Sequence, residues 1–262
     1  MKVKSILISI VLIFMIPIFA IAEEPSPLEK LDDISDEALQ MVKYQRYDDA
    51  KRLLDYFSME FDSSGKKRPF SMDELRIISI SHDEALEAVA SPSIGHAEKM
   101  NRLTKFRLVM DAIATSHQPL WTEMEDPIMT SFGTLKDAAA NGNYNLFNES
   151  FNSFLSIYEV IYPSMRIDVP AEKIGQLDTR IKYIEESRET IAHATSQQQI
   201  AELETDLQKI FDDMREDEAD PSLWWVIIST GSIIIMTLSY VGFRKYKGDK
   251  EYEKNRSRDF KE

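Results

Sequence analysis

Four histidines, 45 acidic residues and a dense aromatic set are the side chains in this 262-residue sequence with the capacity for chemistry. His82 precedes Asp83 and Glu84, and His96 is followed by Glu98, so two histidines have carboxylates nearby in the chain. Neither these nor His117 and His193 fall into His-Glu-x-x-His or a comparable spacing that gathers ligands around a metal. In so acidic a chain, such neighbours arise by chance. The Ser63-Ser64-Gly65-Lys66-Lys67 cluster lacks the glycine spacing and preceding strand of a phosphate-binding loop, and no Gly-x-Ser-x-Gly elbow occurs. Consecutive carboxylates at Glu185-Glu186 and Asp212-Asp213 point about 100° apart on a helix, which makes them solvated faces and not an acid–base couple. The expectation is a protein with no catalytic residue, no metal ligand and no cofactor.

The aromatic residues Trp121, Phe132, Tyr144, Phe147, Phe151, Phe154, Tyr158 and Tyr162 are the richest feature of the middle of the chain. Their helical spacing makes them core. The sharper alternative is a concave groove that grips a partner helix or peptide, lined by Trp121, Tyr144, Phe147, Phe151, Phe154 and Tyr158.

These side chains must be positioned by helices, because no stretch alternates apolar and polar residues with period two, and glycine is scarce. Breaks at Pro25/Pro27, Ser63–Pro69, Ser91-Pro92, His117–Pro119, Asn141–Asn143, Pro163, Pro170 and Pro221 divide the chain into about eight helices with short links. The first pair is the clearest. Leu39, Met41 and Val42 precede a Tyr44-Gln45-Arg46 turn, and Ala50, Leu53, Leu54 and Phe57 carry the next stripe; with Ala38, Tyr47 and Ala50 the pattern resembles a tetratricopeptide hairpin. An echo falls 97 residues later, where Asn141-Gly142-Asn143-Tyr144 mirrors the turn and Phe151, Phe154 and Tyr158 fall opposite Leu54, Phe57 and Phe61. The 34-residue spacing of a regular solenoid is not kept, so the expected fold is all-α, a bundle of helical hairpins with tetratricopeptide-like local packing. Further on, Ile174, Leu177, Ile181, Ile184 and Ile191 are out of phase with Ile200, Leu203, Leu207, Ile210 and Met214. Two antiparallel helices explain the break better than one coiled coil, the second starting at a Ser196/Gln199 capping box.

The two ends of the chain are apolar. Lys2 and Lys4 lead into an apolar run from Ile6 to Phe19 that ends at Ala20-Ile21-Ala22, the pattern of an export signal cleaved after Ala22; the alternative is an uncleaved anchor. Leu223 to Phe243 carries no charge, is flanked by Trp224, Trp225, Tyr240 and Tyr246, and is long enough to cross a hydrocarbon core of ~30 Å. Eight of the nineteen residues at 244–262 are basic, which places that tail in the cytoplasm and residues 23–222 outside it, as an acidic helical domain. Setting aside two lysines of the signal, and eight basic and five acidic residues of the tail, leaves 21 basic against 40 acidic residues, a net −19. Such a surface repels nucleic acid and anionic lipid. With no cysteine, the domain is held by its core alone.

The Gln-Arg-Tyr-Asp-Asp-Ala-Lys-Arg-Leu-Leu stretch at 45–54, the Trp121 to Pro163 block and the Leu223–Phe243 anchor with its basic tail resemble the sporulation protein YpjB family of endospore-forming bacilli. The resemblance implies a role in spore formation and a place in the cell membrane, and supplies no reaction, cofactor or functional residue. The expected function is that of a non-enzymatic, membrane-anchored protein held in the lipid bilayer through 223–243, whose helical domain binds an as yet unidentified protein outside the membrane. The alternative is a small-ligand sensor or cell-wall-binding module.

Overall fold

A computed structural model describes residues 26–64, 70–115, 118–190, 194–216 and 221–259. The expected export signal at 1–22 and the part of the Ser63–Lys67 cluster beyond Ser64 lie outside them. The described residues form nine α-helices and two short 3-10 turns, with no strand among them. Helices α1 (Pro27–Lys43), α2 (Tyr47–Ser64), α3 (Met72–Ala90) and α4 (His96–Ala114) belong to one compact unit, which ends at Ala114. A second unit, from Thr115, holds α5 (Glu125–Ala140), α6 (Tyr144–Asp168), α7 (Ala171–Glu186) and α8 (Ala194–Glu216), followed by α9 (Pro221–Asp259). Among the described residues between Pro27 and Glu216 there are thus eight helices, against about eight expected, although not every expected break is a helix end.

In the first unit α1 packs on α2, α2 on α3, α3 on α4 and α4 back on α1. The stripes that meet inside are Leu31, Ala38 and Val42; Ala50, Leu54 and Phe57; Ile78, Ala85 and Ala88; and Leu103, Phe106 and Met110, all buried. Phe57 is the centre: its ring meets Phe106 edge-on at 4.9 Å and stacks on His82 at 5.4 Å. Capping boxes start two of the helices, because Ser26 and Glu29, and Ser71 and Glu74, each exchange a backbone-to-side-chain hydrogen bond in both directions.

The second unit repeats this plan. Its helices pack in the same cyclic order, and each begins 97 to 99 residues after its counterpart. The turn between the first two helices is the same turn twice. Gln45 N–H donates to the Val42 carbonyl at 2.9 Å and Arg46 N–H to Met41 at 2.8 Å; 97 residues on, Gly142 N–H donates to Ala139 at 3.1 Å and Asn143 N–H to Ala138 at 3.0 Å. Both are Schellman closures, with the residue after the cap in the left-handed region at φ 59° (Gln45) and 63° (Gly142). Core positions correspond as well: Leu31, Ala38 and Val42 match Ile128, Leu135 and Ala139; Leu54 and Phe57 match Phe151 and Phe154; Leu103, Phe106, Met110 and Ile113 match Leu203 and its neighbours Ile200, Leu207 and Ile210, every one buried.

Two expectations are adjusted. Pro163 does not end a helix: α6 runs through it to Asp168. The carbonyl that a proline leaves without an intrahelical donor belongs to Glu159, on the exposed side. Beyond it, Ser164, Met165 and Val169 are buried, and Trp121 Nε1 donates to Asp168 at 2.7 Å, so tertiary contacts hold the last turn. The Ile174 and Ile200 series do lie on two separate helices, α7 and α8, but α8 starts at Ala194, two residues before the expected cap at Ser196. Ile191 lies outside the described residues.

The repeated core and turn predict a paired result. Phe57→Ala and Phe154→Ala should each lower unfolding free energy by about 3–5 kcal/mol, with Tyr144→Ala costing under ~1 kcal/mol. Gly142→Ala should cost about 1 kcal/mol, whereas Gln45→Gly should be neutral or stabilising. Denaturant titration of the detergent-solubilised chain, followed by circular dichroism, checks all five; a tolerated Phe154→Ala would exclude this core.

Candidate functional site

Five of the six aromatic residues expected to line a partner groove are interior. Trp121, Phe147, Phe151 and Phe154 have no exposed surface, and Tyr158 has 4%. The rings of Phe147, Phe151, Phe154, Tyr158 and Tyr162 follow one another along α6 with centroids 5.4 to 6.3 Å apart, and Phe132 of α5 meets Phe154 edge-on. This is the ladder that a three-four spacing produces when it faces three other helices. Burial, with Asp178 and Tyr162 adding to it, pushes the Tyr158 phenol far above its usual range. Tyr144 alone of the six is open, at 46%. The groove is therefore corrected to a core.

The histidines are not brought together. His82 is buried, its Nε2 donating to the Leu54 carbonyl at 3.0 Å, with Ser58 Oγ at 3.2 Å. It is a satisfied core histidine between Phe57 and Phe106. His96 is exposed and its Nδ1 lies 3.1 Å from the Tyr47 hydroxyl. His117 and His193 lie outside the described residues, among which no cluster of three or more His, Asp or Glu side chains is placed to hold a metal. The consecutive carboxylates are engaged separately: Glu185 with Arg188, Glu186 with Lys182, Asp213 with Lys173, and Asp212 with Gln208.

The first unit carries a cavity of about 690 Å³ where the α1–α2 turn faces the link between α3 and α4. Arg46, Asp49 and Arg52 form one side, Val89, Pro92 and Ile94 the other, and Lys99 lies between them. Asp49 is gripped by both arginines, and the hydrogen bond from Arg46 leads the effects that hold its carboxyl below the usual range. Lys99 is a buried cation at 4% exposure. Its ammonium donates to the carbonyls of Ala88 (2.5 Å) and Ser91 (2.6 Å) and sits 4.7 Å from the centre of the Tyr47 ring. Burial lowers its pKa. Sequence reading missed this site because its parts come from three helices and no motif joins them.

Elsewhere, buried charges are structural. Arg107 on α4 bonds to Asp32 Oδ1 at 2.5 Å and approaches Asp36 and Asp111. Burial pushes Asp32 up, ahead of the opposing pull from Arg107. In the second unit a girdle of ion pairs fastens α8 over its apolar stripe. Arg180 of α7 bonds Glu202 and Asp206, Lys173 bonds Asp213 at 2.5 Å, Lys136 of α5 bonds Glu204 at 2.6 Å, and Arg215 reaches Glu125 at 2.5 Å.

Helix α9 contains the stretch Trp225–Tyr246, 22 residues of mean hydropathy 1.9, long and apolar enough to cross a membrane, with its apolar side chains exposed.

Residues 28–255, spanning both units and α9, match the family described as sporulation protein YpjB (SpoYpjB). The chain belongs to that family. It is 38% identical over 240 residues to a Bacillus subtilis (strain 168) protein called YpjB, an alignment covering 90% of each chain. No solved structure matches.

The girdle around α8 gives a pH dependence. The hydrogen bond from Lys173 lowers the Asp213 pKa, and those from Gln198 and then Arg180 lower that of Glu202. A carboxyl with a depressed folded pKa contributes stability above its unfolded pKa and loses it as pH falls through the folded value. Attachment of α8 should therefore be constant from about pH 6 to 8 and weaken below about pH 4. Trp121 packs on Phe211 of α8 with centroids 5.5 Å apart, so its fluorescence in a Trp224→Phe/Trp225→Phe background reports the change. A red shift on acidification, moved to higher pH by Arg180→Gln, is expected; an unchanged spectrum down to pH 2 would refute it.

Proposed function

We propose that the chain is a single-pass membrane protein of sporulation whose two helical units stand outside the cytoplasm and act by binding another protein, without catalysis. The single observation that carries the anchor is α9. Its Trp225–Tyr246 stretch exposes Ile227, Ile228, Ile233, Ile234, Ile235 and Met236, among others, and is not covered by the other described residues. Exposed apolar surface of this extent costs about 25 cal/mol per Å² in water, and a bilayer removes that cost. Helix α9 ends in the basic tail, and residues 23–222 carry net −19, which orients the tail inward. An export signal cleaved after Ala22 would deliver the same topology.

The binding role is supported by the hairpins. Tyr47 and the fully buried Ala50 follow the α1–α2 turn, the residues on which the resemblance to a tetratricopeptide hairpin rests, and stacked hairpins of that kind serve as scaffolds for partners. Arg107 and Glu125 are engaged in structural pairs, which favours a scaffold over an enzyme. A second reading, binding of a small ligand, is favoured by the cavity at the α1–α2 turn.

Removing residues 27–216 while retaining the signal and α9 should reduce spore yield to the level of the deleted gene. Normal sporulation of that strain would overturn the proposal. In whole protoplasts, protease added outside should digest the units and leave a tag at Glu262 intact; loss of the tag would reverse the topology.

A further inference from the structure

The two units share a turn, but only one of them surrounds it with charge. In the second unit the positions 97 residues after Arg46, Asp48, Asp49, Arg52 and Lys99 are Asn143, Asn145, Leu146, Glu149 and Ser196. The same pair of hydrogen bonds closes both turns, and the first residue of the following helix is tyrosine in both, Tyr47 and Tyr144. Three cations at this place are therefore not needed to build the turn. Spacing of three along α2 accounts for the surface pairing of Arg46, Asp49 and Arg52. Lys99 caps the last carbonyls of α3, at Ala88 and Ser91, and lies under the Tyr47 ring; its buried ammonium has no carboxylate among these partners, in a region where acids outnumber bases by 40 to 21, and it brings an uncompensated positive charge to the cavity.

We infer that the cavity beside the α1–α2 turn of the first unit is a binding site for a carboxylate-ended ligand with an apolar body, about the size of a di- or tripeptide. The ligand class follows from the lining. Three cations against two carboxylates leave one net positive charge, which suits a monoanion, and Asp48 at the rim disfavours a phosphate dianion. Asp49 holds both guanidinium groups in place while occupying Nε and one terminal nitrogen of Arg46 and one terminal nitrogen of Arg52, so each arginine keeps N–H donors for a second carboxylate. Val89, Pro92 and Ile94 on the opposite wall offer apolar contact for the rest of the ligand. A volume of about 690 Å³ lies within the range of small-molecule sites.

This inference rests on the second reading of the domain, as a ligand binder, and not on the membrane topology or the role in sporulation; a negative binding result leaves those standing. The test uses the full chain in lipid nanodiscs and saturation-transfer nuclear magnetic resonance with three probes: N-acetylated trialanine (hereafter trialanine), which is a monoanion at neutral pH, its C-terminal amide, and propionate. Trialanine should bind saturably, with the amide weaker by about ten-fold for loss of the charge-assisted contacts. Arg46→Asn/Arg52→Gln should weaken trialanine by a similar factor with an unchanged circular dichroism spectrum, and Lys99→Ser, which installs the residue found at the matching position of the second unit, should do so independently. Propionate binding with the same dependence on the arginines supports the site with a free small acid as its ligand; propionate silent beside bound trialanine supports a peptide terminus. Equal affinity for acid and amide, wild-type affinity in the arginine variant, or no binding of either acid at tens of millimolar would overturn the inference.

Discussion

Without a cysteine to staple it, each unit is held through the apolar stripes of its four helices, and the stripes must meet around a single axis for any of them to be covered. Closure by the fourth helix is the step on which the others depend. In the first unit α4 brings Leu103, Phe106 and Met110 against the stripe of α1; in the second α8 brings Ile200, Leu203 and Leu207 into the same place. Remove that helix, and the aromatic centre at Phe57 or Phe154 opens to water, at a cost of roughly 1.5–3 kcal/mol for each large side chain exposed.

The two closures use different means outside the shared apolar stripe. Helix α4 is pinned to α1 by a half-buried arginine, Arg107, set among acids of α1 and its own helix, and to α3 by Arg102 with Glu87 and Lys105 with Glu84. Helix α8 is fastened by several pairs nearer the surface, with acids on α8 facing bases on α5 and α7. Isolated surface pairs contribute little, but Arg180 with Glu202 and Asp206 forms a small network, where geometry is shared among partners. A strongly acidic chain thus uses part of its negative charge internally. Helix α8 is also the element that precedes α9, so the attachment of the second unit to its apolar helix passes through residues whose charge state follows pH.

The periodicity of apolar residues made the helices and their number readable, because a three-four stripe needs only local sequence to declare itself. The Asn141–Asn143 echo of the first turn was readable for the same reason, since Schellman turns place their demands on adjacent residues. What escaped were features decided across helices. Whether Phe147 to Tyr158 line a groove or fill a core depends on what packs opposite, and nothing in their spacing states it. Pro163 signals a helix end locally, yet the Trp121–Asp168 bond and the buried Met165 hold the helix beyond it. The two capping boxes at Ser26 and Ser71 carried a local signal, serine followed three residues later by glutamate, and were detectable. Lys99 was not, because its partners on α3 lie 8 and 11 residues away and the ring above it belongs to Tyr47, on α2.

The duplicated plan separates what the fold requires from what one copy has added. Positions that agree between the units are those that close the turn and fill the centre: the left-handed residue after α1 and α5, the tyrosine that opens α2 and α6, and the phenylalanines Phe57 and Phe154. Around the same turn the chemistry diverges, from Arg46, Asp49, Arg52 and a buried ammonium in one unit to Asn143, Leu146 and Glu149 in the other. A buried cation carries a desolvation cost that a neutral residue at the matching place avoids; capping the last carbonyls of α3 offsets part of it, and the positive charge it brings to the turn is what the other copy lacks. Packing constraints are satisfied twice, by different side chains; the charged turn is satisfied once, and that asymmetry locates the part of the first unit whose residues answer to something other than its core.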